Sequence, residues 1–375
     1  MSTRLLLVGD LHIRAGEHLD DVQAALRWVA DLADEHQVHG VLLAGDAYEG
    51  RSTVVERSVL ADFLTRVSAD CHVVAIRGNH DQADDLLVFD GYPDVRTFQR
   101  PGWASVGPVD VLCIPWPERA FLAAQGLAGE SGEAAGSAAL GAILRGMLAA
   151  QPRAGHPVVV LAHLQVLGAM SSSAQPLIGR AIEATLGDLQ DLGASFVALG
   201  HVHRPQELAP GIEYIGSLTC HDFGEEDEQK RVGILTVEDN GAASVEWLEV
   251  PCRRWVTVEG YVTSDGTVEE DCEAEDAARL AEGGFADCNL RYRYTCTEAD
   301  SHLFNHEDIR RRFAAAHTLK IVPEIERTAR VRAADVAAAK SAAEKLQAWG
   351  TATETAITPA LLDKLHTLES EEGHA

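Results

Sequence analysis

The sequence predicts a layered α/β domain, followed by a smaller α/β domain and C-terminal helices. Three observations predict this. Apolar runs of four or five residues alternate with amphipathic stretches from residue 4 onward, in a β-α-β-α-β rhythm. The character changes near residue 252, after which short strands and acidic segments alternate on a smaller scale. Beyond residue 331 the chain is rich in Ala, Lys and Leu at helical spacing. The breaks divide the chain into residues 1–250, 251–330 and 331–375.

Arg4-Leu5-Leu6-Leu7-Val8 reads as a central strand ending in Gly9-Asp10-Leu11-His12. Residues 20–36 carry Val22, Leu26, Val29 and Leu32-Ala33 at helical spacing. Val41-Leu42-Leu43-Ala44 is a second strand, ending in Gly45-Asp46. Residues 54–67 form a second helix with Val55, Val59, Phe63 and Val67 on one face. Val73-Val74-Ala75-Ile76 is a third strand, ending in Arg77-Gly78-Asn79-His80-Asp81. Residues 82–104 show no clear period. A strand over 109–114 stops at Pro115-Trp116-Pro117.

The Gly/Ala/Ser-rich residues 126–141 read as a loop, with a helix following to about residue 150. Val158-Val159-Val160-Leu161 is a strand ending in Ala162-His163. A short helix near 185–192 precedes Phe196-Val197-Ala198-Leu199, which ends in Gly200-His201-Val202-His203. Residues 232–237 and 244–250 flank Asn240-Gly241 and predict a hairpin. In the smaller domain we expect strands over 256–262, 290–295 and 319–325. Helices are expected near 269–281 and 306–316. A C-terminal helix over 333–349, a linker over 350–357 and a last helix opened by Thr358-Pro359 complete the chain.

The chain of 375 residues is 46% apolar, which fits a globular protein with a sizeable core. No apolar run approaches the length of a membrane span, and the first apolar run is too short for a signal peptide. Seven scattered Cys without a C-x-x-C pair suit reduced thiols, so a cytoplasmic location is expected. The net charge of −27 argues against nucleic acid as a whole-chain average, because phosphate binding relies on Lys and Arg. The acidity is uneven, with nineteen acidic against five basic side chains in residues 222–287.

Five strand ends carry side chains that bind metals: Asp10 and His12, Asp46, Asn79 and His80, His163, and His201 and His203. On extended backbone, residues at i and i+2 share a face, so Asp10/His12 and His201/His203 could each aim two groups one way. A turn could equally split His201 from His203. The set exceeds the needs of one ion but fits two, with one carboxylate shared. Imidazole, carboxylate and amide without thiolate suit manganese, iron or zinc. Two such ions about 4 Å apart can activate water and stabilise the oxygens of an in-line phosphoryl displacement.

Gly9-Asp10-Leu11-His12, Gly45-Asp46, Gly78-Asn79-His80-Asp81, His163 and Gly200-His201-Val202-His203 resemble the motif series of the calcineurin-like metallophosphoesterases. The resemblance implies a two-sheet sandwich flanked by helices around a dinuclear metal site. It implies that Asp10, His12, Asp46 and His203 hold one ion, and that Asp46, Asn79, His163 and His201 hold the other. Asp46 would bridge. His80 would be the general acid for the leaving oxygen, its ring oriented by a carboxylate.

A narrower resemblance runs over Tyr214-Ile215-Gly216-Ser217-Leu218, Asp222-Phe223-Gly224-Glu225-Glu226 and Lys230. Gly168-Ala169, Ser171-Ser172-Ser173, Pro176 and Gly179 extend it. These segments are similar to the SbcD family of nuclease subunits, which work with the ATPase SbcC. This implies a DNA exo/endonuclease with two divalent ions, manganese expected, acting in DNA end processing. Its partners would be DNA, an SbcC-like SMC-family ATPase and a second copy of the chain. The small domain would be a capping domain. The Leu361/Leu365/Leu368 stripe would dock on the ATPase or pack on its own domain.

Glu49 departs from the family, which more often has Asp or His at that position. Arg204 stands where Lys is frequent, and Arg204 and Arg77 are candidate substrate contacts. Arg310-Arg311-Arg312 could touch phosphate or be a solvated helix face. Two other readings compete: a phosphodiesterase or phosphatase of the same fold acting on nucleotides or other small phosphates, and a scaffold without chemistry. Retention of the whole ligand set with His80 argues against the scaffold.

Overall fold

A computed structural model describes residues 2–16, 18–82, 84–118, 133–172, 182–271, 285–326, 336, 338–353 and 355–372. The chain divides into two compact units. One comprises Met1–Thr257, Gly284–Arg291 and Ala315–Leu319; the other comprises Val258–Gly283, Tyr292–Ala314 and Lys320–Ala375.

The first unit is built on two six-stranded sheets. One runs in the order Ala243–Glu249, Arg231–Glu238, Ser2–Val8, Gly40–Leu43, His72–Ile76, Val95–Phe98. Its four strands from Ser2–Val8 to Val95–Phe98 are parallel, and the Arg231–Glu238 hairpin adds antiparallel. The other runs Gln206–Ala209, Ile212–Tyr214, Phe196–Gly200, Val158–His163, Val109–Ile114, Gly102–Val106. Its centre is likewise parallel.

Alternation along each strand explains the layers. Leu5 and Leu7 join Leu42, Val74, Val111, Val159 and Leu161 in one buried cluster shared by the two sheets. Leu6 and Val8 face the other way, onto Val22, Leu26, Val29 and Phe63 of the helices Leu19–Glu35 and Val54–Val67. Val160 and Ala162 pack with Leu140 and Leu144 of the helix Glu133–Ala149. Central strands buried on both faces read as unbroken apolar runs, which is why they are so plain in the sequence.

The helix Val54–Val67 opens with a capping box between Thr53 and Glu56. Glu56 also accepts from the Ala15 amide at 2.7 Å, which ties down the loop after His12. Val59, Phe63 and Val67 are buried as expected, but Val55 is 54% exposed. It lies in the first turn of the helix.

Residues 133–141, expected to be loop, are helical. Gly136 and Gly141 there face Ile182 and Asp188 so closely that an added Cβ would crowd both. Small residues that read as a flexible connection thus permit close packing; residues 126–132 lie outside the described set. Residues 82–104 contain a 3-10 turn, Leu87–Gly91, and the strands Val95–Phe98 and Gly102–Val106. Both strands are sheet edges, where the apolar pattern is weak.

A four-stranded sheet runs in the order Val268–Asp271, Trp255–Val262, Asn289–Thr297, Thr318–Glu326. Val268–Asp271 was expected to begin an acidic helix. It is a strand instead, and its Glu270 accepts from Tyr292 at 2.8 Å and from Arg312 at 2.6 and 2.8 Å, so the charge is satisfied there. The rest of that predicted helix, from residue 272, lies outside the described residues.

Helix His306–Arg312 is shorter than expected. Its arginines are paired within the unit, Arg310 with Glu307 and Arg311 with Asp308. Within the helix expected over 333–349, residues 333–335 and 337 lie outside the described residues, residues 336 and 338 are helical, residues 339–341 are not, and a helix Ala342–Ala352 runs past Gly350. Ser341 and Glu344 cap it, and Gly350 lets Ile357 pack close. In the last helix, Pro359–Glu372, Leu361 is exposed and Leu365 half-buried. The side chain of Leu368, with Ser173, Pro176 and Gly179, lies outside the described residues.

Candidate metal centre

The five ligand-bearing strand ends all lie at the carboxyl edges of parallel strands, three in one sheet and two in the other. His12 does not sit on extended backbone as the i, i+2 argument supposed. His12 has φ 45°, and Asp46 and His201 have φ 47° and 95°. Left-handed backbone at non-glycine residues is uncommon and tends to cluster at functional sites. Here it turns each chain back as it leaves its strand. The amides of Leu11 and His12 both donate to the Asp46 carbonyl, at 3.0 and 2.9 Å, which locks the first two loops together. Gly78 completes the approach, since a Cβ there would overlap the Asp46 carboxylate.

Asp10, His12, Asp46 and His163 are buried. His163 Nδ1 donates to the Ala44 carbonyl at 2.7 Å, so its Nε2 faces inward. That Nε2 lies 3.0 Å from Asn79 Oδ1 and 3.2 Å from Asp46 Oδ2. His201 Nδ1 lies 2.8 Å from the same Asn79 oxygen. Across the site, the Nε2 atoms of His12 and His203 face each other at 3.0 Å. Their Nδ1 atoms are each held by a carboxylate at 2.7 Å, Glu49 for His12 and Glu225 for His203.

Asp46 stands between the two groups. Its Oδ2 is 3.7 Å from His12 Nε2 as well as 3.2 Å from His163 Nε2. Ligand atoms of His12, Asp46 and His80 lie within 4.8 Å of one another, and so do those of Asp46, His163 and His201. Asp10 accepts from the His201 amide with both oxygens at 3.1 Å and lies 3.4 Å from His163 Nδ1.

The electrostatics are those of a place short of positive charge. Burial raises Asp10 above the usual carboxylate range. Burial also opposes ionisation of Asp46, but His163 and His12 hold it well below that range. Burial works against a charge on His163, yet Asp46 and Asp10 raise its imidazole to about 9. Burial and the neighbouring His163 push His201 down to about 3. Two buried carboxylates, Asp10 and Asp46, beside these imidazoles form a setting that a divalent cation would neutralise. The donor set of nitrogen and oxygen without thiolate fits that reading.

His80 is less buried, with its side chain 39% exposed. Its amide donates to Asp46 Oδ1 at 2.8 Å, and its Nδ1 donates to the Glu49 carbonyl at 3.1 Å; among the described residues its Nε2 makes no hydrogen bond. Asp81 accepts from the Tyr48 and Gly78 amides at 3.0 and 2.9 Å, and so braces the Asp46 loop against the Asn79 loop. Burial pushes the Asp81 carboxyl up to about 6 despite these two bonds.

Of the candidate substrate contacts, Arg77 is buried and committed to Glu118 at 2.5 Å. Arg204 lines an open cavity of about 1070 Å³ with Arg231 and Trp247. Three neighbours of the site were not singled out from sequence. Trp116 packs on His201 with ring centroids 4.6 Å apart. His221 lies edge-on to His12 at 4.9 Å. Glu225 was visible only as part of a motif. A lone Trp after a strand or one His among sixteen carries no spacing signal.

A family model described as calcineurin-like phosphoesterase matches residues 3–205. Among curated relatives, the chain is 28% identical over 287 residues to the D component of nuclease SbcCD from Escherichia coli strain K12, covering 66% of this chain and 68% of the relative. It is 25% identical to the Bacillus subtilis protein of the same name, covering 68% and 73%. Among solved structures, a Thermus thermophilus protein aligns with a TM-score of 0.39 at 14% identity, over 67% of this chain and 100% of that one. A dimetal phosphatase from Danio rerio aligns with a TM-score of 0.36 at 11% identity, over 66% and 99%.

Proposed function

Because the chain belongs to the calcineurin-like phosphoesterase family, whose members are metal-dependent hydrolases of phosphate esters, we propose that it is a DNA exo/endonuclease subunit with a dinuclear, manganese-loaded centre. Asp10, His12, Asp46 and His203 would hold one ion, and Asp46, Asn79, His163 and His201 the other. The carrying observation is the position of Asp46, whose carboxylate belongs to both side-chain groups. Bound there, two divalent ions supply a nucleophile from water near neutral pH and offset charge on the phosphoryl oxygens.

The protein's own groups do the rest. Glu49 and Glu225 fix the tautomers of His12 and His203, and Ala44 that of His163. His80 gives its Nε2 proton to the leaving oxygen, its ring held through Nδ1 by the Glu49 carbonyl. Glu49 therefore serves a ligand through its side chain and the general acid through its backbone.

The relatives' name, a subunit of nuclease SbcCD, supports a nucleic-acid substrate and a partner subunit, which in this reading are DNA and an SbcC-like SMC-family ATPase. In this reading residues 1–250 are the nuclease domain, 251–330 a cap and 331–375 the ATPase-binding helices. Exposed Val54, Val55, Leu87 and Val88 support a homodimer through that face, where Ser52 and Asp85 join the two segments at 2.8 Å. A cytoplasmic location accompanies this reading; among the described residues no helix is long and apolar enough to cross a membrane.

The net charge of −27 favours a second reading, a phosphodiesterase or phosphatase of nucleotides or other small phosphates. One comparison separates the two. The purified chain with Mn²⁺ is expected to degrade linear duplex DNA. Hydrolysis of cyclic nucleotides with no action on DNA refutes the nuclease reading.

A further inference from the structure

Behind His203 lies a buried charge cluster that metal binding alone does not require. Glu225 has a side chain 4% exposed, and that of Lys230 is fully buried. Glu225 Oε1 holds His203 Nδ1 at 2.7 Å. Its Oε2 takes the Lys230 ammonium at 2.8 Å, the His221 amide at 3.1 Å and the Ser217 hydroxyl at 3.5 Å. Lys230 Nζ also donates to Glu228 at 2.7 Å and to the backbone carbonyl of His203 at 3.2 Å. One ammonium therefore reaches His203 twice, directly at its carbonyl and through Glu225 at its ring.

Buried Lys is costly unless fully paired, and it is retained here with two carboxylates. The turn that presents Glu225 is itself anchored. Gly224 donates to Asp222 at 2.6 Å, Phe223 packs edge-on to Trp255 at 4.7 Å, and Thr257 donates to Glu226 at 2.6 Å. These contacts hold the backbone of the turn, and the bonds to His203, Lys230 and the His221 amide hold the Glu225 side chain. His12 contrasts with this arrangement, because the side chain of its carboxylate partner, Glu49, is 41% exposed.

We propose that Glu225, backed by Lys230, is a positioning residue: it locks the His203 ring in the orientation and tautomer that point Nε2 at the His12 side of the centre. The proposal rests on the reading of His203 as a metal ligand. It makes Glu225 the rigid support and Glu49 the compliant one for the same ion.

The test is Mn²⁺ binding by the full chain, followed by calorimetry and by metal content after dialysis. Glu225→Ala is expected to weaken one of two Mn²⁺ sites about 10–100-fold and leave the other unchanged. Glu225→Gln keeps an acceptor oxygen and the side-chain volume, so it should fall between wild type and Glu225→Ala. Adding Glu225→Ala to His203→Ala should cost nothing further at that site, because Glu225 acts through His203. Wild-type affinity at both sites in Glu225→Gln and Glu225→Ala, or additive losses in the double variant, overturns the positioning role. Should Glu225→Ala not fold, Glu225→Gln alone decides: an unchanged weaker site refutes the proposal. His203→Ala separates the two layers: unchanged Mn²⁺ binding there overturns the ligand reading itself.

Discussion

Replacing His80 with Asn separates proton transfer from metal binding. Among the described residues the His80 ring makes one hydrogen bond, to the Glu49 carbonyl at 3.1 Å, with the Glu49 carboxylate at 3.9 Å, and the side chain is 39% exposed. Its more important contact, the amide donating to Asp46 Oδ1 at 2.8 Å, belongs to the backbone and survives the change. Loss of one half-exposed hydrogen bond should cost at most about 1 kcal/mol of stability. Loss of a general acid should cost about 10²–10⁴ in kcat, or roughly 3–5 kcal/mol of barrier. The two effects therefore differ enough to be told apart. The assay is kcat on linear duplex DNA and on an aryl phosphodiester, with Mn²⁺ content measured in parallel. His80→Asn should keep both ions and lose most turnover on DNA. It should lose less on the aryl ester, whose leaving group needs no proton. Loss of an ion, or a fall on DNA of less than about tenfold, refutes the assignment of His80 as acid.

Asp81→Asn keeps shape but turns an amide donor toward one of two backbone amides, Tyr48 or Gly78, so a loss of about 1–3 kcal/mol in denaturant unfolding is expected; a wild-type midpoint would contradict the bracing role. Glu225 has a further consequence for pH. Burial opposes its ionisation, but His203 and Lys230 hold its carboxyl in the folded chain well below the ordinary glutamate range. That stability is present above the unfolded value and is lost as pH falls through the folded one. In EDTA, the stability gap between wild type and Glu225→Gln should therefore hold from pH 7 to about 4 and narrow as pH drops further; a gap that does not change below about 4 would contradict the ionised pairing. Deleting residues 358–375 should spare nuclease activity and weaken pull-down of an SbcC-like ATPase; unchanged association places that docking surface elsewhere.

The strands around the site were legible because they are buried on both faces, and their apolar runs end abruptly in Gly-Asp, Gly-Asn-His and Gly-His-Val-His. That these side chains come together was legible too, although the i, i+2 argument for it does not hold at His12. Asp10 and His12 meet through a left-handed turn at His12, and no side-chain period encodes a positive φ outside glycine. The helix over 133–141 was hidden because Gly and Ala serve equally as loop and as close-packing surface; only the proximity of Ile182 and Asp188 decides between them. The supports of the imidazoles were hidden for a different reason. Glu225 lies 22 residues from His203 and Glu49 lies 37 from His12, separations fixed by sheet topology alone. Glu49, a departure from the family pattern, places its carboxylate 2.7 Å from His12 Nδ1.

The central claim is that Asp46 joins two ligand groups into one dinuclear centre. Electron paramagnetic resonance of the chain loaded with Mn²⁺, read with metal content, tests it most directly. The account predicts two ions per chain with the spectrum of an exchange-coupled pair, and loss of that coupling in Asp46→Asn. One ion per chain, or two uncoupled ions in the wild-type protein, would contradict it.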